Sequence, residues 1–380
     1  MVIFMSAVFL VLGVNYIADP YRIFHRPWIK DNGYINDHSM RVEASGIINS
    51  EKFDAIILGN SHSENFSALE ASNTFGSKYV NLSMSGSSIN ERALVLNYVL
   101  RKKRINQVIF QLDSIPAKIT SLSKSPIYPY KFLYDEYAIN DLLIYIKDIK
   151  SSFYSLCTIL QTPKWRICKI ETKPIESMLE WDSNPEYASR FGGLTNWLNG
   201  KDKRQNQNYL KTISTSINKI KTNDVVTITI KDDSIEKIKY HQFISNELLP
   251  LIKQQPHTEF YFFFPPLSRL KFAIDKKAIP ENFEQYKEII KLFVITLGPY
   301  PNVKIFGFEQ ENFLDEIANY KDLTHFHPDF NHKMLEWMHS GKNQLNQGNL
   351  DEYLLLITNK SDSYSFEEFE SFYFSLNTNI

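Results

Sequence analysis

The chain lacks an excess of either charge. Lys and Arg total 42 against 43 Asp and Glu, for a formal net charge of -1. That balance removes the electrostatic footprint of a nucleic-acid binder, and no nucleic-acid partner is expected. The one dense basic run, Arg101-Lys102-Lys103-Arg104, falls between a predicted helix and a predicted strand. Cations there suit the negative end of a helix dipole. Cysteine is nearly absent: Cys157 and Cys168 are the two, in neither a metal-type nor a redox-type spacing. In an extracytoplasmic compartment they could close a short loop as a disulfide, contributing about 3 kcal/mol. Otherwise they are two unrelated small apolar residues. There is no internal repeat and no long low-complexity stretch.

Long apolar runs are also scarce. Val2 to Ala18 is the exception, broken by Ser6, Gly13 and Asn15. It falls slightly short of the ~20 residues that span a bilayer. No Lys or Arg precedes it, whereas Arg22, Arg26 and Lys30 follow, an order opposed to a simple cytoplasmic amino end. A start site upstream supplying a short basic leader would reconcile the two. No Ala-x-Ala cleavage site follows, so an uncleaved membrane anchor is expected rather than a removed signal. The alternative is a buried amino-terminal helix.

The body of the chain carries a strand–helix rhythm. Buried parallel strands are predicted at Ala55–Leu58, from Tyr79 to an end within Ser83 to Gly86, and at Gln107–Leu112, Glu259–Phe264 and Val303–Gly307. Their near-continuous apolar character suits a sheet covered on both faces. Intervening helices imply right-handed parallel crossovers. A helix is predicted to start within Ser63 to Ala71, capped by Ser63. Ser88, with Glu91 three residues on, predicts a capped helix running to about Lys103. Further helices are predicted at 138–151, 205–221, 234–254, 281–296, 328–339 and 350–357. Pro265-Pro266 should end the fourth strand. The fold class is therefore α/β, a three-layer α/β/α sandwich around a five-stranded parallel sheet. The expected organisation is an anchor over 1–18 and an irregular segment over 19–52. An α/β domain follows over 53–114 and 236–341, interrupted by a mainly helical cap at 115–235. A polar tail covers 342–380.

In such a sheet ligand sites form outside the carboxyl ends of the strands. Gly59-Asn60-Ser61-His62-Ser63 leaves the first strand directly. A hydroxyl needs a base to become a nucleophile, and an imidazole needs a carboxylate to fix its tautomer. Asp322-Leu323-Thr324-His325 offers both after the fifth strand. Ser61, Asp322 and His325 are thus the candidate catalytic residues. His62 is read as structural, because adjacent side chains point apart; His327 is an alternative base. His325, His327 and His332 with Asp322 and Asp329 form a cluster that keeps a metal site open as a rival. The chain is 14% aromatic, and many of these rings fall in the middle, where core filling competes with a sugar-stacking surface. Trp165, Trp181 and Trp197 are the candidates there, with Trp181 and Trp197 as possible substrate contacts.

These blocks resemble the SGNH (GDSL-like) hydrolase superfamily, over about residues 53–113 and 256–340. That family places its nucleophile in a Gly-Asp-Ser motif, which reads Gly59-Asn60-Ser61 here, with Asn60 in place of the acid. The resemblance implies an oxyanion hole with the N–H groups of Ser61 and of Gly86, in Asn81-Leu82-Ser83-Met84-Ser85-Gly86. The family's third donor, the Asn of Gly-x-Asn-Asp, has no counterpart: the strand end reads Gln111-Leu112-Asp113-Ser114. Gln111 or Ser114 could substitute, or the hole has two donors. One lost donor typically costs about 10²–10³ in rate. The short anchor, Asp19-Pro20-Tyr21 and Phe264-Pro265-Pro266 look like membrane-tethered bacterial members related to alginate acetylation and teichoic acid D-alanylation. That implies a single-pass inner-membrane protein with a periplasmic domain that takes an acylated glycan or acyl donor. No cofactor is implied, and a membrane acyltransferase is the implied partner. A membrane-tethered assembly factor of the same fold, without catalysis, is the competing expectation.

Overall fold

The computed structural model describes residues 2–28, 34–35, 40–113, 119–137, 139–160, 172–173, 185–200, 203–222 and 233–378. Its centre is one six-stranded sheet: β1 (Ala55–Leu58), β2 (Tyr79–Asn81), β3 (Gln107–Gln111), β4 (Glu259–Phe264), β5 (Val303–Gly307) and β6 (Gln344–Leu345). The order across the sheet is β2-β1-β3-β4-β5-β6. The first five strands run parallel, as the apolar runs predict. The sixth is a correction to the expected all-parallel sheet. Leu345 pairs with Ile305 antiparallel, so the sheet is mixed. A separate antiparallel ladder joins Tyr34–Ile35 to Thr172–Lys173.

The strands are buried because both faces are covered. All of β1 is buried, and β4 contributes five buried aromatic rings, Phe260 to Phe264. Helix Ile89–Lys102 follows β2, capped by Ser88, whose hydroxyl accepts from Glu91 N–H at 3.4 Å. The Glu91 side chain does not close a capping box; it pairs with Arg41 at 2.8 Å. The helix after β1 starts at Ala68, within the predicted window, but with a different cap. Ser67, not Ser63, caps Ala68–Phe75.

Two stretches read as irregular or polar are ordered, and a third, given no element, forms a helix. Met40–Ser50 is a helix in the segment expected to be irregular. Arg269–Ala278 is a helix capped by Ser268. The expected tail supplies β6 and helices Leu350–Ser363 and Glu367–Thr378, and buries Tyr353, Ile357 and Phe369 in the core.

The amino-terminal helix, Val2–Ala18, has 17 residues, about 25 Å of rise. Among the described residues no helix is long and apolar enough to cross a membrane. Asn15 Nδ2 donates to Ser152 Oγ at 2.8 Å, docking it on helix Ile149–Leu160. Phe9, Leu10, Val11 and Ile17 remain exposed. Asp19 then anchors the turn that follows. Its carboxylate accepts from the N–H groups of Ile23, Phe24 and His25 and from the Tyr145 hydroxyl. Helix Met40–Ser50 presses onto this turn at Gly46, where a Cβ would lie 1.8 Å from Tyr21 O. Cys157 is disulfide-bonded; the chain's other cysteine, Cys168, lies outside the described residues.

Candidate functional site

β1 delivers Gly59 to a crowded corner. A Cβ there would meet Ser63 Oγ at 2.1 Å and Gln111 Oε1 at 2.7 Å, so only glycine fits. The chain then turns sharply, with Ser63 N–H donating to Asn60 O at 2.9 Å, and Ser61 rides on the turn, partly exposed. Asn81, at the end of β2, holds the following residues through bonds from Nδ2 to Ser63 O and Phe66 O, both 2.9 Å.

The carboxylate and imidazole come from a second tight turn after β5. Tyr320 and Phe326 form an isolated antiparallel bridge, and Lys321 N–H donates to His325 O at 3.1 Å. The bridge pinches Lys321–His325 together. Asp322 Oδ1 accepts from the N–H groups of Thr324 and His325, both at 2.9 Å, and from the Thr324 hydroxyl. Leu323 O accepts from the Ser268 hydroxyl at 2.7 Å, which lays the turn over the exit of β4 and toward β1. On its other side stands the inserted segment. Trp197 Nε1 donates to Tyr320 O at 2.7 Å, Leu323 N–H donates to the Tyr209 hydroxyl at 3.2 Å, and Gly192 N–H donates to Ala318 O at 2.9 Å.

The two turns meet. Ser61 Oγ lies 2.9 Å from His325 Nε2, and His325 Nδ1 lies 2.8 Å from Asp322 Oδ2. A carboxylate only accepts, so Nδ1 carries the ring proton and Nε2 is left to accept from the serine hydroxyl. Burial on its own would raise the Asp322 pKa. His325 beside it, the Thr324 N–H and Lys321 outweigh that and hold the carboxyl well below the usual range. It therefore stays ionised behind the ring.

His62 is closer to this machinery than adjacency to Ser61 predicts. It is buried, and its ring stacks on His325 with centroids 4.9 Å apart. Burial, then the neighbouring His325, pushes its pKa well below the ordinary histidine value, so it is neutral. His62 Nδ1 lies 2.8 Å from Asn60 Oδ1, which also accepts from His62 N–H at 3.1 Å and Gln111 Nε2 at 2.8 Å. Asn60 is thus the hub of the turn, a role no local pattern announces.

Gln111 is fully buried. Its Oε1 accepts from Asn60 N–H at 3.1 Å and Ser63 Oγ at 2.6 Å, and its Nε2 serves Asn60. It braces the turn from below, with both ends of its amide engaged by Asn60 and Ser63. The N–H groups of Ser61 and Gly86 donate to no acceptor among the described residues. Gly86 is exposed at φ 64°, in a loop fixed to Gly59 O by Met84 N–H and the Ser87 hydroxyl. Ser114, Trp165 and Trp181 lie outside the described residues. Trp197 is 2% exposed and packs in the core, the core-filling alternative of the two weighed for it. Arg92, which carried no sequence signal, is buried and clamps the end of β3 through Gln111 O and the Asp113 carboxylate.

The histidine cluster disperses. His327 caps helix Pro328–Ser340, accepting from Asp329 N–H at 3.3 Å, and His332 pairs with Glu70. Ser61 Oγ bonds His325 and not His327. Among the described residues no three His, Cys, Asp or Glu side chains are grouped to hold a metal ion. No protein-family model matches the chain, and no curated protein matches its sequence.

Proposed function

We propose that this protein is a serine-dependent O-acyl esterase or O-acyltransferase. One observation carries the reading: the unbroken relay from Ser61 Oγ through His325 to an ionised Asp322, with bonds of 2.9 and 2.8 Å. In this reading Ser61 Oγ attacks an acyl carbonyl and passes its proton to His325 Nε2. The carbonyl oxygen becomes an oxyanion received by the unpaired N–H groups of Ser61 and Gly86. Collapse expels the alcohol, which takes the proton from His325, and leaves an acyl-Ser61 ester. Water then releases the acid, or a sugar hydroxyl takes the acyl group, with His325 again as base.

The substrate proposed is an acylated cell-envelope polysaccharide or glycoconjugate, following the resemblance to the SGNH superfamily and its membrane-tethered bacterial branch. The same resemblance suggests a membrane acyltransferase as partner. Two features support a periplasmic location on the inner membrane. The helix Val2–Ala18 exposes apolar side chains, and the bonded Cys157 suits an oxidising compartment.

The test is labelling of the purified protein with a fluorophosphonate, followed by peptide mapping. Modification at Ser61, lost in Ser61→Ala and His325→Ala, is expected. A folded protein that does not label, together with full cellular function of Ser61→Ala, would replace this reading with the non-catalytic assembly role.

A further inference from the structure

We propose that Asn60 is a catalytic residue, its side-chain amide serving as the third donor to the oxyanion. This inference rests on Ser61 being the nucleophile.

The orientation of the Asn60 carboxamide is forced by its neighbours. Gln111 Oε1 accepts from the backbone N–H of Asn60 and from Ser63 Oγ, so Gln111 can only present its NH₂ end to Asn60. The atom it meets, along with His62 N–H, must be an acceptor, which makes it Oδ1. His62 Nδ1, against the same oxygen, must then carry its ring proton. Three donors from two buried side chains and one backbone N–H thus hold the oxygen end. The amino end is different. Asn60 Nδ2 bonds no described residue, is not sealed from solvent, and belongs to the residue directly before Ser61.

An amide with its oxygen pinned and its NH₂ open is pre-organised. Little freedom is lost when it meets a negative oxygen, which is the condition under which an oxyanion donor is most effective. The residue type fits as well. The resembling family has an acid at this position. A carboxylate would keep the acceptor but set a negative charge beside the developing oxyanion. A carboxamide keeps the acceptor and adds a donor, on a chain where Gln111 is buried and committed elsewhere.

The test uses the full chain and p-nitrophenyl acetate, with Asn60→Ala and Asn60→Asp. Asn60→Ala removes the donor without adding charge; Asn60→Asp keeps the acceptor for His62 and Gln111. Both are expected to lower kcat by about 10²–10³-fold, with KM within about threefold of the parent. In Asn60→Ala, which adds no charge, the pH–rate profile should keep its position. The proposal is overturned if folded Asn60→Ala keeps kcat within about threefold of the parent. Should that variant not fold, retained kcat in Asn60→Asp overturns it equally. A displaced pH–rate profile in Asn60→Ala also overturns it, since Asn60 would then act through His62 on the base. In those cases the parent still labels at Ser61 and the esterase reading stands. A parent that neither labels nor turns over the ester sinks both.

Discussion

The hydroxyl of Ser61 and the Nε2 of His325 lie within 2.9 Å, although 264 residues separate them in the chain. Asp322 lies 2.8 Å behind the ring, and in the proposed reaction it supplies orientation and charge. Asp322→Asn presents the ring with a group that can donate, and so favours the wrong tautomer. A fall in kcat of roughly 10⁴-fold is expected, with KM little changed. Steady-state ester hydrolysis measures it. A loss of less than about tenfold would mean the carboxylate is only a turn residue.

Gly59→Ala should damage both stability and activity. The new Cβ would sit 2.1 Å from Ser63 Oγ and 2.7 Å from Gln111 Oε1. Relief requires moving the turn that carries Asn60 and Ser61. Overpacking of this kind costs about 1–3 kcal/mol. Urea denaturation should show a lower midpoint, and fluorophosphonate labelling of the folded fraction should slow. An unchanged midpoint would contradict the packing described for this corner.

His62 makes stability depend on mildly acidic pH. Its folded pKa lies well below the ordinary 6.5, owing to burial and then to His325, with Asp322 opposing and Arg92 and Lys321 adding smaller repulsions. Below that value the unfolded chain binds a proton that the folded protein refuses. Stability is therefore complete above about pH 6.5 and falls as pH drops, with a slope of at most about 1.4 kcal/mol per pH unit. His62→Phe keeps a ring against His325 and removes the titration. Denaturation midpoints between pH 7 and pH 5 should fall less in the variant than in the parent. Parallel curves would refute the assignment.

Trp197→Phe separates a core role from a sugar-binding one. The indole N–H donates to Tyr320 O at 2.7 Å, next to the turn that bears Asp322. Phenylalanine fills most of the space but leaves that carbonyl without its donor, a loss of about 1–3 kcal/mol. The melting temperature and kcat should fall together, with KM for an acylated glycan little altered. A raised KM at unchanged melting temperature would make Trp197 a ligand contact after all.

The parts of this structure legible in the sequence are those with a local, repeated signal. β1 and β4 announce themselves as unbroken apolar runs, and Asp322-x-x-His325 is compact enough to read as a unit. β6 is two residues long and offers no alternation to find. Helix Met40–Ser50 is hidden by Gly46 and its serines, poor helix formers retained because the turn after Asp19 presses against it. The hub at Asn60 was illegible for another reason. Its partner Gln111 is 51 residues away, and a single buried amide leaves no periodicity. Trp197 shows the same limit, since an indole in an inserted segment reads alike whether it faces sugar or core.

The bonds that gather around Asp19 carry a mechanical consequence. Three backbone amides and a phenol fix the chain as it leaves Val2–Ala18, and Asn15 ties that helix to Ser152. The helix is a mast, not a leash. Any partner that grips it therefore also fixes the orientation of the turn that carries Ser61.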